Sequence, residues 1–124
     1  MENDKSSVLI LEIVKQFLAL IRVVDPNWKE GYLRFSFQGA STQIKSSYKT
    51  DSDVFIVDSS RHKELVHSIH QQGKDLLASF GKSSGLFLLK IDKNLEYKID
   101  FEYDNFNRWP ISKIDGATGI PLDS

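Results

Sequence analysis

Strict alternation of apolar and polar residues in the stretch YKIDFEYD, at residues 97–104, constrains the fold more than any other feature of this sequence. Successive side chains of a β-strand point to opposite faces of the sheet, so every second residue shares a face. One face would carry Tyr97, Ile99, Phe101 and Tyr103, and the other would carry Lys98, Asp100, Glu102 and Asp104. The pattern predicts an antiparallel strand with one buried face and one solvated face.

The apolar run LFLLKI, at residues 86–91, predicts the strand that pairs with it. A three-residue loop of Asp92, Lys93 and Asn94 keeps apolar residues opposite one another, whereas a two-residue loop mixes the faces. The predicted pairs are Ile91 with Leu95, Leu89 with Tyr97, and Phe87 with Ile99. Asn94 is expected to adopt the left-handed conformation, which asparagine tolerates.

A second hairpin is predicted nearer the N-terminus. Residues 31–38 alternate with Leu33, Phe35 and Phe37 facing inward, and Gly39-Ala40 forms a two-residue loop. Glycine at the first loop position favours a type II′ turn, which needs a positive φ there. The predicted pairs are Phe35 with Ile44 and Phe37 with Thr42. The strand at residues 42–48 is more polar, which favours an edge position, and residues 53–58 form a third strand.

Two helices are predicted from apolar residues spaced three and four apart. The first covers residues 7–24, with Ser6 or Ser7 as its cap and Pro26 beyond its end. Its apolar arc is wider than one face, because Ile10, Val14, Leu18 and Ile21 lie beside the main stripe of Leu9, Ile13, Phe17, Leu20 and Val24. Such an arc indicates a helix covered on two sides or one that faces a partner, and the covered helix is the favoured interpretation.

The second helix is predicted over residues 59–80, capped by Asp58, Ser59 or Ser60 and ended by Gly81. The predicted buried stripe consists of Leu65, Ile69, Leu76 and Phe80, with Leu77 beside it. Gly73 falls on this stripe, and a glycine there predicts a close approach to the sheet.

The order of elements, α-β-β-β-α-β-β, predicts an α+β fold in which two helices pack on an antiparallel sheet of about five strands. The 124 residues fit a single domain, residues 1–124. Residues 105–124 form an irregular tail with two prolines and two glycines, and its aromatic and aliphatic side chains predict packing on the body or on a partner.

Several function classes are disfavoured by composition. The net charge is −1, and no stripe of Lys and Arg interleaved with aromatics occurs, so a nucleic-acid surface is not predicted. The N-terminal apolar run is interrupted by Glu12 and Lys15 and shows neither a signal peptide nor a membrane span. The absence of cysteine suits a reducing compartment. A cytoplasmic protein is therefore expected.

Catalytic and metal-binding chemistry finds little support. His62, His67 and His70 all lie in the second predicted helix, and no carboxylate at a suitable spacing completes a zinc site. Neither a nucleophile elbow nor a glycine-rich phosphate loop occurs. The sequence therefore predicts no enzyme activity, no metal and no cofactor.

The row of Asp100, Glu102 and Asp104 admits two interpretations. It is either the solvated face of a strand or an acidic docking row for a basic partner. In the docking interpretation Phe106 and Trp109 anchor the contact, because buried aromatic side chains supply much of an interface's affinity. The predicted partner-binding residues are Asp100, Glu102, Asp104, Phe106, Arg108 and Trp109. The carboxylates alone do not decide between the two.

Over residues 9–104 the chain resembles the YezG-like family of bacterial immunity proteins. The resemblance is carried by the apolar N-terminal helix leading into PNWKEGYLRFSF, the strand DVFIVD, the helix ELVHSIHQQGKDLLASF and the closing hairpin YKIDFEYD. The tryptophan shortly after a proline, Trp28, and the alternation of aromatics and acids at the end are its most specific parts.

The resemblance implies an antitoxin of a polymorphic or contact-dependent growth inhibition system. Such a protein has no enzymatic activity, is made in the cytoplasm and binds the C-terminal domain of one cognate toxin, often a nuclease. The expected mechanism is occlusion of the toxin's basic substrate groove by the acidic row. The alternative is a secretion-type chaperone or a homodimeric scaffold that uses the apolar first helix, so the choice between monomer and homodimer stays open.

Overall fold

The computed structural model describes residues 2–121, and the last three residues of the predicted tail lie outside this part. Its helices are α1 (Glu2–Val24) and α2 (Lys63–Ser79), and its strands are β1 (Glu30–Gln38), β2 (Ser41–Lys49), β3 (Val54–Ile56), β4 (Gly85–Asp92) and β5 (Tyr97–Glu102). Short 3-10 turns cover Ser59–Arg61 and Ile114–Gly116. The predicted α+β class and the order α-β-β-β-α-β-β are confirmed.

The five strands form one antiparallel sheet in the order β3-β2-β1-β4-β5. The prediction that the polar strand β2 lies at an edge is wrong, because β3 pairs with its C-terminal end. That pairing involves Ser47, Tyr48 and Lys49, and the carbonyl of Ser46 accepts the N–H of Val57, so residues 41–45 of β2 have no strand neighbour on that side in the described chain. The two sheet edges are therefore formed by β5 and by β3 with the first part of β2.

Both helices cover one face of the sheet and enclose the main core. Leu33 and Phe35 of β1 are fully buried there, and the ring of Phe35 stacks on Phe87 with centroids 5.1 Å apart. Gly73 of α2 approaches the sheet as predicted: a Cβ atom added at Gly73 would lie 2.6 Å from the Phe35 ring. A Cβ atom at Gly31 would likewise collide with Ile21 of α1. Each helix therefore contacts the sheet at a glycine: α2 through its own Gly73, and α1 over Gly31 of β1.

Helix α1 begins earlier than predicted, at Glu2. Ser6 is therefore an interior helix residue, and its buried hydroxyl shares a 2.8 Å hydrogen bond with Ser79 of α2. Val14 and Ile21 of the wide apolar arc are buried, while Ile10 and Leu18 are partly buried against the same core. The arc is thus largely covered within the chain. Neither helix in residues 2–121 is long and apolar enough to span a membrane.

Helix α2 is shorter than predicted because residues 59–61 form a separate 3-10 turn, whose cap is Asp58. Val66 is buried on α2, whereas Phe80 is 42% exposed, so Phe80 is not part of the buried stripe. Gly81 ends the helix as predicted. It has φ of 74°, and the N–H groups of Gly81 and Lys82 donate to Ala78 and Leu77, which is the pattern of a Schellman motif.

The β1–β2 hairpin has the predicted register but a different turn. Phe35 pairs with Ile44 and Phe37 with Thr42 around a Gly39-Ala40 loop. The predicted type II′ turn is wrong, because Ala40 also has a positive φ, 68° against 59° for Gly39, which is characteristic of type I′. The twist of a type I′ turn matches that of the flanking strands, and this offsets the unfavourable φ at Ala40.

The β4–β5 hairpin is shifted by two residues from the prediction. The observed pairs are Ile91 with Tyr97, Leu89 with Ile99, and Phe87 with Phe101. The carboxylate of Asp92 accepts hydrogen bonds from the N–H groups of Asn94 and Glu96, and Leu95 rather than Asn94 adopts the left-handed conformation, with φ of 66°. A shift of two residues keeps every side chain on its predicted face.

The tail crosses the sheet on the face opposite the helices. Trp109 and Ile111 pack with Tyr32, Leu86 and Leu88 in a second apolar cluster. Further along, the Ser47 hydroxyl on β2 donates to the carbonyl of Gly119 at 2.6 Å. The tail therefore packs on the body, and the molecule has three layers: helices, sheet and tail.

Candidate partner-binding surface

The six predicted partner-binding residues fall on two structural elements. Asp100 and Glu102 lie on β5, on the sheet face that the tail crosses, opposite Leu88 and Leu86 of β4. Asp104, Phe106, Arg108 and Trp109 follow the end of β5, in the chain that turns back over the sheet. Because β5 is an edge strand, this region is open to solvent along one side.

Glu102 is fully engaged inside the molecule. Its Oε1 accepts a 2.9 Å hydrogen bond from Nη1 of Arg108, and its Oε2 accepts the backbone N–H groups of Asp104 at 3.1 Å and Asn105 at 3.2 Å. These hydrogen bonds, with that to Arg108 the largest contribution, lower the pKa of Glu102 to about 2. Glu102 thus fixes the turn by which the chain leaves β5 and enters the tail.

The side chain of Trp109 packs between the tail and the sheet and is not exposed at the surface. It is only 2% exposed, and the guanidinium of Arg108 lies 4.4 Å from the centre of its ring. Its backbone has a φ of 59°, and within the described residues its buried indole N–H has no hydrogen-bond partner. A partner therefore contacts Trp109 only if the tail leaves the sheet.

Phe106 is half-buried against the same cluster, and its backbone is held by a buried cation on β1. Nη2 of Arg34 donates to the carbonyl of Phe106 at 2.6 Å, and Nε donates to the carbonyl of Arg108 at 2.9 Å. Burial lowers the pKa of Arg34 from its ordinary value. Arg34 was not singled out by the sequence, since an arginine on a solvated strand face carries no distinguishing pattern.

Two of the three predicted carboxylates remain accessible. Asp100 lies 3.4 Å from Nζ of Lys98, and its side chain is 38% exposed. Asp104 lies beyond the end of β5 and is exposed, and its carboxylate forms no ion pair with the described residues. The acidic row is therefore divided into one structural carboxylate, Glu102, and two that are open to a partner.

The structure also exposes residues near β5 that the sequence did not predict to be partner-binding. Tyr97 was expected in the core, but it is 43% exposed because the shifted register brings it to the open end of β5. Leu95 in the adjoining loop is 49% exposed, and the neighbouring Glu96 is also exposed. We call these residues, with Asp100 and Asp104, the β5 edge surface: Leu95, Glu96 and Tyr97 lie at its hairpin end, with Tyr97 on the helix side, while Asp100 faces the tail side and Asp104 lies beyond the far end of β5.

Glu102 and His70 each have a pKa that is lowered on folding. A general acid needs a raised pKa, and Glu102 has a strongly lowered one. His70 is half-buried, its Nδ1 lies 2.6 Å from the Thr42 hydroxyl, and its pKa is lowered by burial and by His67. No group of three or more histidine, aspartate or glutamate side chains in the described part of the chain is arranged to hold a metal ion.

Comparison with known proteins adds no relative. No family model matches the chain, and no curated protein matches it. The resemblance to YezG-like immunity proteins therefore stays a prediction based on the quoted sequence stretches.

Proposed function

We propose that this chain is a bacterial immunity protein that binds and neutralises a cognate toxin domain in the cytoplasm, without enzymatic activity or a cofactor. The proposed toxin domain is a nuclease whose basic substrate groove is occluded. The observation that carries the proposal is the β5 edge surface, because it combines exposed carboxylates with exposed apolar side chains on an edge strand. The resemblance to YezG-like proteins supports the same class.

The charge of this region suits a basic partner. Residues 92–104 contain five carboxylates and two lysines. A nuclease groove must hold a polyanion, so its lysines and arginines present a positive potential. Complementary potentials speed the encounter of two proteins and fix their orientation. Asp100 and Asp104 are the carboxylates that meet the toxin, while Glu102 keeps the turn between them in shape.

The free edge of β5 provides a second source of affinity. The outer side of the strand carries backbone N–H and C=O groups that pair with no other strand in the described chain. An edge strand of this kind accepts an additional strand from a partner, and neighbouring side chains then give specificity. Tyr97, which is 43% exposed, supplies the aromatic contact that was expected from Trp109.

The alternative function, a chaperone or homodimeric scaffold built on α1, is less well supported. Ile10 and Leu18, the arc residues that a dimer seam needs, already pack against the core of the same chain. The apolar side chains left exposed on α1 are Val8, Leu11 and Val23, and the last lies far along the helix from the other two.

Co-expression with a candidate toxin domain, taken from the neighbouring open reading frame, tests the proposal. The wild type should restore growth to cells that make the toxin domain and should co-purify with it. The double variant Asp100→Lys/Asp104→Lys should lose affinity by about 100-fold and fail to protect, because like charges then face the basic groove.

A matched control separates surface position from net charge. Asp51 and Asp75 are exposed and lie away from β5, one in the β2–β3 loop and one on α2. Asp51→Lys/Asp75→Lys changes the net charge equally and should protect like the wild type. Protection by both variants would move the contact away from β5, and the absence of protection by the wild type would reject the immunity function.

A further inference from the structure

A polar cleft lies between the tail and the sheet, on the face opposite the helices. Its volume is about 310 Å³, which is at the lower end of the range for small-molecule sites. The side chains that give it its chemistry are Arg34 and Ser36 of β1, Gln43 and Lys45 of β2, and Phe106 and Asn107 of the tail. Two cations and several hydrogen-bonding side chains thus meet in one concave space, and no carboxylate lines it.

Arg34 is a buried cation without a carboxylate. It is 8% exposed, yet it forms no ion pair with any described residue. Its Nε and Nη2 donate to two tail carbonyls, while Nη1 makes no hydrogen bond within the described part of the chain and remains within reach of solvent. Taking a guanidinium out of water without a counter-charge is costly, so buried arginines are normally paired.

Lys45 increases the positive potential at the same point. It lies directly opposite Arg34 in the β1–β2 register, and both side chains are on the tail side of the sheet. Like charges directly opposite each other on a sheet are destabilising. An anion between them would relieve this repulsion and supply the acceptor that Nη1 lacks.

The role of Arg34 in holding the tail does not account for this arrangement. Two carbonyl oxygens use two of the five N–H groups of a guanidinium, so three donors remain, and the carbonyls do not neutralise its charge. The tail contacts also give no reason for Lys45, whose side chain is exposed at the mouth of the cleft.

We propose that this cleft binds a small oxyanion, the phosphate or carboxylate group of a low-molecular-weight ligand. Arg34 supplies a fixed donor at the floor, Lys45 supplies a mobile charge at the mouth, and Ser36, Gln43 and Asn107 offer neutral hydrogen bonds. Arginine binds both groups well because its donors match the geometry of two oxygens. The site is formed by residues of this chain alone, and the proposal that it binds an anion does not depend on the proposed immunity function.

Thermal unfolding of the full chain in increasing inorganic phosphate, and separately in acetate, tests the site. Sodium chloride at matched ionic strength corrects for screening. A saturable rise in the melting temperature with phosphate identifies a phosphate site, and one with acetate identifies a carboxylate site, because a ligand that binds only the folded state stabilises it.

Variants of two β2 lysines, the exposed Lys45 and the partly buried Lys49, locate the binding. Lys45→Gln should weaken the binding by about tenfold, as expected for the loss of one charge-assisted hydrogen bond. Lys49→Gln, on the same strand and the same face but outside the cleft, should bind like the wild type. The proposal is overturned if neither anion gives a saturable shift, or if the two variants lose binding equally, which would indicate a general charge effect.

Discussion

The two faces of the sheet are covered by different means. The helix face packs fully buried apolar side chains such as Phe35, Phe87 and Leu89 against two regular helices. The tail face has a small apolar cluster around Trp109, together with a buried arginine and an ion pair of Arg108 with Glu102. One face is therefore held mainly by apolar burial, and the other by a few specific polar contacts around a small cluster.

This difference predicts how each layer responds to change. Apolar burial scales with area and is insensitive to pH and to modest salt. Contacts of charged groups depend on protonation, and those near the surface are screened by salt. The helix layer should therefore respond mainly to lost volume, and the tail layer should respond to pH as well.

The largest effect is expected in the helix layer. Phe87→Ala removes a fully buried ring that stacks on Phe35, and the free energy of unfolding should fall by about 3–5 kcal/mol. Urea unfolding followed by circular dichroism measures the loss. A loss below about 1.5 kcal/mol would contradict the assignment of this face as the main core.

A smaller effect is expected in the tail layer. Trp109→Ala empties the second cluster but also removes the buried indole N–H that lacks a partner, so the net loss should be about 2 kcal/mol. Trp109→Phe keeps most of the apolar contact and removes that N–H, so urea unfolding should give a loss below about 1 kcal/mol. A loss for Trp109→Ala equal to that for Phe87→Ala would remove the distinction between the layers.

A pH dependence at acidic pH is expected from the tail face. The pKa of Glu102 falls from 4.5 to about 2 on folding, so its stabilising contribution is present above about pH 4.5 and is lost as the pH falls toward 2. Glu102→Gln removes this contribution. The stability difference between wild type and variant should therefore be constant above about pH 5.5 and shrink below pH 4.5. A constant difference down to pH 2.5 in urea titrations would show that the carboxylate is not specifically stabilised.

The smallest effect is expected for the exposed pair on β5. Lys98 and Asp100 are 3.4 Å apart, with side chains 67% and 38% exposed. Exposed ion pairs contribute about 0–1 kcal/mol, so Asp100→Asn should change the free energy of unfolding by less than about 0.5 kcal/mol. A loss above about 1 kcal/mol would assign Asp100 a structural role like that of Glu102.

The sequence predicted the helix face well because that face is periodic. Apolar spacing located both helices and the inward faces of the strands, and Gly73 marked the close contact with Phe35. Periodicity did not determine the β4–β5 register, since a shift of two residues leaves both faces unchanged. The side chain of Asp92 contributes to that register by binding the N–H groups of Asn94 and Glu96.

The tail face was less predictable because it has no period. The apolar residues of the tail indicated packing on something, but not that Trp109 would be buried at a positive φ or that Arg34 would hold the tail carbonyls. The alternation along β5 likewise does not separate Glu102, which binds Arg108 and two backbone N–H groups, from its accessible neighbours.

The proposed function divides the acidic row between structure, at Glu102, and recognition, at Asp100 and Asp104. Calorimetric titration of the toxin domain into the wild type and into Asp100→Asn/Asp104→Asn, with the unfolding free energy of both recorded at pH 7, tests it most directly. We expect an affinity at least about tenfold lower in the variant and a change in the free energy of unfolding below about 0.5 kcal/mol per residue replaced. Unchanged affinity, or a loss of affinity that accompanies an equal loss of stability, would contradict it.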